Sequence, residues 1–242
     1  MDYLFIIIVG LLAGTLAGII GTGSSIILLP ILFYSFGAKV AVPVMAVAAV
    51  LANLGRVIIW WRQIHWPAVL AYSLTSIPAA ALGANTLISM PENTANLILG
   101  CFFLIMLPLR RHLKQKQFSI KLWQLGLAGV FIGFITGIVV SSGPLSIAAF
   151  AAFGLLQGPL IASEAAASML VYLAKLSAFD NLDVLNTKIL LNGFIVGSTL
   201  IIGAWLGKHI VLQMRPRQFE RILDLMMLIA GLSLLCMSAS TP

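Results

Sequence analysis

Two short breaks hold the residues best suited to grip an anion away from water. Gly21-Thr22-Gly23-Ser24-Ser25 and Ser141-Ser142-Gly143-Pro144 each interrupt a long apolar run, at matching places in the two halves of the chain. A helix opened by such a break presents unpaired N–H groups and the positive end of its dipole. The hydroxyls of Thr22, Ser24, Ser25, Ser141 and Ser142 add donors, and Gly23 and Gly143 let backbone approach a ligand closely. A second set of polar residues falls on two apolar segments. Asn53 and Arg56 are spaced i, i+3 and share a helix face. Glu164, Ser168, Tyr172 and Lys175 follow at i, i+4, i+8 and i+11, again on one face. Ionisable groups inside a membrane are costly and mark pathways or proton relays. Each has a plainer alternative. Arg56 and Lys175 lie near segment ends and could snorkel to the interface. Glu164 reads as a proton-coupling carboxylate or, by preference, as an interfacial charge about one turn into its segment. Gly10, Gly14 and Gly18 read as close-packing positions rather than ligands.

The elements that would position these residues are membrane spans. Hydrophobic residues make up 61% of the 242 and charged residues 9%, against about 25% charged in soluble domains. Ten apolar segments follow one another, at 3–20, 24–36, 41–61, 66–88, 94–109, 122–140, 144–156, 160–178, 187–208 and 218–237. A span needs about 20 apolar residues. The second and seventh are too short, and each follows a Gly/Ser break. They read as helical hairpins with tips inside the membrane, or as short tilted spans. A backbone break at that depth survives only where protein or a cavity surrounds it.

Net charge is +7, and its distribution speaks for membrane orientation rather than nucleic acid. Arg56, Arg62 and His65 border one loop, Arg110, Arg111, Lys114, Lys116 and Lys121 crowd another, and Lys208, Arg215, Arg217 and Arg221 mark a third. These loops should be cytoplasmic. The loops at 89–93 and around Asp180 and Asp183 should face outward, which puts both termini outside. Trp60, Trp61, Trp66, Trp123 and Trp205 sit near segment ends as an aromatic belt. Cys101 and Cys236 lie in apolar runs, where neither a disulfide framework nor a metal site is expected. No nucleophile–base pair, phosphate loop or dinucleotide loop is present. An enzyme, a cofactor and a metal are therefore not expected.

The halves resemble each other. Ala13-Gly14 with Gly18 pairs with Ala128-Gly129 and Gly133, Val42-Pro43 with Gly158-Pro159, and Leu82-Gly83-Ala84 with Ile202-Gly203-Ala204. Five segments per half require the second copy to be upside down. The sequence thus predicts an all-α polytopic membrane protein of two inverted repeats with broken or re-entrant hairpins. The first repeat is expected over 1–110, a basic cytoplasmic linker over 111–121 and the second repeat over 122–242.

The glycine-rich stretch from Gly10 to Pro30, the Arg62–Trp66 segment ending in His-Trp and the Leu-Gly-Ala element at 82–84 resemble the TauE/SafE family of sulfite exporters, from about Leu4 to Leu235. The resemblance implies a secondary transporter of the cytoplasmic membrane that exports sulfite, thiosulfate, an organosulfonate or a related small anion; Glu164 makes protons a candidate coupling ion. The site expected is Thr22, Gly23, Ser24, Ser25, Asn53, Arg56, Ser141, Ser142, Gly143, Ser168, Tyr172 and Lys175. Competing readings are a passive anion channel of the same architecture and a non-transporting membrane subunit.

Overall fold

The computed structural model describes residues 36–115, 119–139 and 143–213, together with Leu11, Leu32 and scattered positions between 224 and 238. Thr22, Gly23, Ser24, Ser25, Ser141 and Ser142 lie outside the described residues, as do most of the first two and the last apolar segments. The described chain forms seven α-helices: α1 (Ala38–Trp60), α2 (Trp66–Ser89), α3 (Glu92–Gln115), α4 (Leu122–Ile138), α5 (Gly143–Ala152), α6 (Gln157–Asn181) and α7 (Thr187–Gln213). No strand occurs among the described residues. Among the described residues, four stretches are long and apolar enough to cross a bilayer: Lys39–Gln63, Trp66–Ser89, Glu92–Leu109 and Gln157–Asn181. The chain is an all-α polytopic membrane protein. Helix α3 continues to Gln115, so the basic stretch expected as a linker begins inside a helix.

Local sequence explains where the helices stop. A single 3-10 turn, Trp61–Gln63, and the extended residue Ile64 separate α1 from α2. His65 then caps α2, its Nδ1 accepting the Ala68 N–H at 3.2 Å, with Pro67 in the first turn. Helix α4 ends where Val139 turns extended (φ −94, ψ 153) ahead of the Ser141-Ser142-Gly143-Pro144 run. Pro144 suits the first turn of α5, where its missing N–H costs nothing, and it disfavours helix in the residue before it. At the far end of α5, Leu155 N–H donates to Phe150 O (3.2 Å) and Gly154 N–H to Ala151 O (2.9 Å), with Gly154 at φ +102. This is a Schellman stop, and it needs a residue that tolerates the left-handed region.

The bond from Ile120 N–H to Ala152 O (2.9 Å) ties the entry to α4 to the exit from α5. The two helices therefore form a hairpin that enters and leaves at one level. At 1.5 Å per residue, Ile138 lies about 24 Å from that level along α4, while Gly143 lies about 14 Å from it along α5. The hydrocarbon core is about 30 Å thick, so α5 begins near mid-depth. Trp61, Trp66 and Trp123 are exposed at this same end, as interfacial anchors would be. We call it the tryptophan end.

Packing follows small residues. Helix α4 lays Gly126, Gly129, Gly133 and Gly137 along α2, against Ala71, Tyr72, Thr75, Ser76, Ala80 and Gly83. Without a hydrophobic drive between helices in lipid, close approach and dispersion hold such pairs together. Thr75 Oγ1 donates to Gly126 O at 2.6 Å across the same seam. Opposite faces of the two helices carry Leu70, Leu74 and Phe131, all exposed and apolar. Buried Met45, Leu99, Phe103 and Phe179 form one core around α1, α3, α6 and α7, and Val69, Leu125, Phe150 and Val171 form a second between α2, α4, α5 and α6.

Candidate functional site

Helix α6 carries the polar stripe expected of it, and the structure shows what each residue meets. Glu164 stands seven residues into α6, about 10 Å from the tryptophan end. It is only 2% exposed, so the interfacial reading is corrected: the carboxylate is inside the bundle. Its Oε1 accepts Ser168 Oγ at 2.7 Å and Ser146 Oγ at 2.9 Å, and its Oε2 faces Arg56 Nη1 at 3.2 Å. Arg56 also donates from Nη2 to Asn53 Oδ1, one turn back on α1. Its side chain is 21% exposed, so it does not snorkel free but turns inward to the carboxylate. Asn53 is buried. Thus Asn53, Arg56, Glu164 and Ser168, from two helices, form one cluster with Ser146 of α5.

Lys175 lies eleven residues beyond Glu164, about 16 Å along the same stripe. The snorkelling reading fails here too, since Lys175 is fully buried. Its Nζ donates to Thr136 O (2.8 Å), in the last turn of α4, and to Val139 O (3.2 Å), just past it, and lies 5.5 Å from the Phe179 ring centre. A cation at a helix C-terminus complements the dipole there. Among the described residues no carboxylate forms an ion pair with it. Tyr172, buried, sits one turn before Lys175. The residue α5 opens with, Gly143, is partly buried, and its carbonyl lies 3.0 Å from Ser146 Oγ.

The stripe therefore has a charged group at each end. The hairpin runs beside it, with α4 terminating at Lys175 and α5 starting near Glu164. Its middle, between Glu164 and Lys175, is lined by Ser168 and Tyr172. Among the described residues, no group of three His, Cys, Asp or Glu is placed to hold a metal. Sequence reasoning passed over Ser146 and Thr136. Ser146 could have been noticed as the one hydroxyl in the decapeptide Gly143–Ala152. Thr136 contributes a backbone oxygen, which residue type does not announce.

The family model of the sulfite exporter TauE/SafE matches residues 6–234. A curated relative, the probable membrane transporter protein YjnA of Bacillus subtilis (strain 168), is 28% identical over 261 residues, covering 95% of this chain and 98% of its own length. No solved structure matches the chain. A polar, doubly charged stripe along a broken hairpin is what a membrane transporter needs, and a match over nearly the whole length makes this chain a member of the TauE/SafE sulfite exporter family.

Proposed function

We propose that the chain is a secondary transporter that exports sulfite or a related small sulfur-containing anion, such as thiosulfate or an organosulfonate, across the cytoplasmic membrane. One observation carries the reading: the Glu164-to-Lys175 stripe, with Arg56 at one end, runs beside a hairpin whose second helix starts near mid-depth. The anion binds between this break and its counterpart in the first half. Thr22, Gly23, Ser24 and Ser25 approach from one side, Ser141, Ser142 and Gly143 from the other, and Asn53, Ser168 and Tyr172 from the spans. Helix N-termini supply partial positive charge at the centre. Arg56 and Lys175, near opposite ends of the path, draw the anion in and release it. Such an arrangement favours modest affinity and release on either side. The two halves are inverted repeats, the tryptophan end is cytoplasmic, and both termini are outside, following the Lys/Arg bias of the loops.

The test is flux of labelled sulfite, thiosulfate and methanesulfonate into proteoliposomes holding the purified chain, with and without an imposed pH gradient. Saturable flux of at least one of these anions that responds to the gradient is expected. Non-saturating flux would favour a channel, and flux equal to that of protein-free vesicles would overturn the reading.

A further inference from the structure

The cluster around Glu164 has a property that its role in binding does not require: it can hold a proton on Oε1 without orphaning either serine hydroxyl. The Ser146 hydroxyl has one hydrogen and two acceptors within reach, Glu164 Oε1 at 2.9 Å and Gly143 O at 3.0 Å. With Glu164 ionised, Ser146 and Ser168 both donate to Oε1 and Arg56 holds Oε2. With Glu164 protonated on Oε1, the carboxyl donates to Ser146 Oγ and the Ser146 hydrogen turns to Gly143 O. Oε1 and both serine hydroxyls keep a partner in both states. The cost falls on the contact between Arg56 and Glu164. Arg56 Nη2 remains on Asn53, but Nη1 loses its anionic partner and Oε2 loses its donor when the anion takes its place. Arg56 is also the member of the cluster that solvent reaches, at 21% against 2% for Glu164.

We propose that Glu164 is an internal stand-in for the substrate: its carboxylate and the transported anion alternate on Arg56, and Glu164 takes up a proton as the anion binds and gives it up as the anion leaves. This deepens the transporter reading above and rests on it. One guanidinium cannot hold two anions in a confined site, because like charges at that distance repel. Arrival of an anion at Nη1 therefore drives proton uptake by Glu164, and loss of the proton expels the anion as the ion pair re-forms. The atoms balance: a proton from water joins Oε1, and the Arg56 to Oε2 contact is exchanged for an Arg56 to substrate contact. The other groups facing Glu164 do not supply the effect. Tyr72 on α2 and Tyr172 on α6 are phenols within electrostatic reach, and α5 offers only the Ser146 hydroxyl. His65, before α2, is engaged with Ala68 and the Phe153 ring. Lys175 lies at the far end of the stripe. The switch also ends on Gly143, the first residue of α5, so the proton changes the hydrogen bonding of the hairpin's inner end.

The experiment uses the full-length purified chain in lipid nanodiscs, with sulfite, thiosulfate, taurine, methanesulfonate and chloride as probes. Binding is measured by calorimetry and by infrared difference spectra, in which a newly protonated carboxyl shows its own C=O stretch. Methanesulfonate is a strong-acid anion, so its own charge stays fixed through the pH range. An anion that binds should raise the protonated-carboxyl band, and its affinity should fall about tenfold per pH unit where one proton is linked to binding. Glu164→Gln, which keeps the shape and hydrogen-bonding capacity, should abolish the band, flatten the pH dependence and bind at neutral pH at least as tightly as the unmodified chain. Arg56→Gln/Glu164→Gln, which leaves no buried charge unpaired, should elute as a single folded species and lose at least tenfold in affinity. Binding without the band, or a pH dependence unchanged in Glu164→Gln, would overturn the proposal. If only chloride binds and raises the band, the sulfur-anion reading fails and the exchange on Arg56 stands. If none of the five probes binds, both fall.

Discussion

At the scale of the residue, the half-buried Arg56 and the buried Lys175 do different work. Arg56 is held by a carboxylate, whereas Lys175 is held by carbonyl oxygens at the end of α4. Removing one partner of a buried ion pair costs about 3–5 kcal/mol, because the survivor is left charged in a poor solvent. The two partners are not equally exposed, and this sets an order. In Arg56→Ala the stranded group is Glu164, at 2% exposure; in Glu164→Ala it is Arg56, which reaches solvent. Thermal unfolding in detergent should therefore show the larger loss for Arg56→Ala, and the double Gln variant should recover most of it. A coupling near zero in that mutant cycle would contradict the ion pair. For Lys175, Gln can still donate to one carbonyl and Met to neither. Lys175→Gln should weaken anion binding roughly tenfold, about 1.4 kcal/mol, and Lys175→Met should weaken it further without abolishing transport. Spacing alone made the face of Glu164, Ser168, Tyr172 and Lys175 legible. It could not say whether that face looked into protein or along the interface, because that depends on neighbours far away in the chain. Nearness to a segment end favoured the interface for Glu164. The structure instead puts Arg56, 108 residues away, against it.

At the scale of the element, the seam between α2 and α4 holds the hairpin in place. A Cβ on Gly133 would lie 2.5 Å from Ser76 O and 2.6 Å from its Cα, both backbone atoms that cannot step aside. Gly133→Ala should destabilise by about 1–3 kcal/mol, the usual cost of overpacking. Gly55, in α1, has nothing within 4 Å of such a Cβ. Gly55→Ala should gain up to about 1 kcal/mol from helix propensity. Fluorescence-detected thermal stability of the two variants checks the contrast, and equal effects would mean that the seam is loose. Gly10, Gly14 and Gly18, expected as packing positions, lie outside the described residues. Gly129 and Gly133, which match Gly14 and Gly18 in sequence, are seen seated on a neighbour. The short seventh segment was also readable, since Ser-Ser-Gly-Pro gives a mechanical reason to stop a helix. Where α5 ended was not. The stop at Gly154 belongs to a six-residue hydrogen-bond pattern, and an apolar count ran past it to 156.

At the scale of the whole molecule, the described helices fix which ends lie together. The end of α1, the starts of α2, α4 and α6 and the end of α5 meet at the tryptophan end. Glu92 and Asp183 lie at opposite ends of their spans from it. Which face is cytoplasmic comes from the charges, and it is a proposal that labelling can test. Lys116→Cys should react with a membrane-impermeant maleimide only after the cells are opened, and Asp183→Cys should react from outside intact cells. Labelling of Lys116→Cys from outside would invert the orientation. The inverted repeat is likewise a proposal, and it rests on sequence matches such as Leu82-Gly83-Ala84 with Ile202-Gly203-Ala204.

The central claim is that a small sulfur-containing anion crosses beside the α6 stripe, past the broken hairpin. The most direct measurement is counterflow of labelled sulfite in proteoliposomes, comparing the unmodified chain with Ser142→Leu and Ser25→Leu after confirming that each variant elutes as a folded species. Saturable counterflow is expected for the unmodified chain, and none above protein-free vesicles for either variant. Counterflow of equal rate in all three proteins would contradict it, and the Gly/Ser breaks would then be packing devices with the site elsewhere.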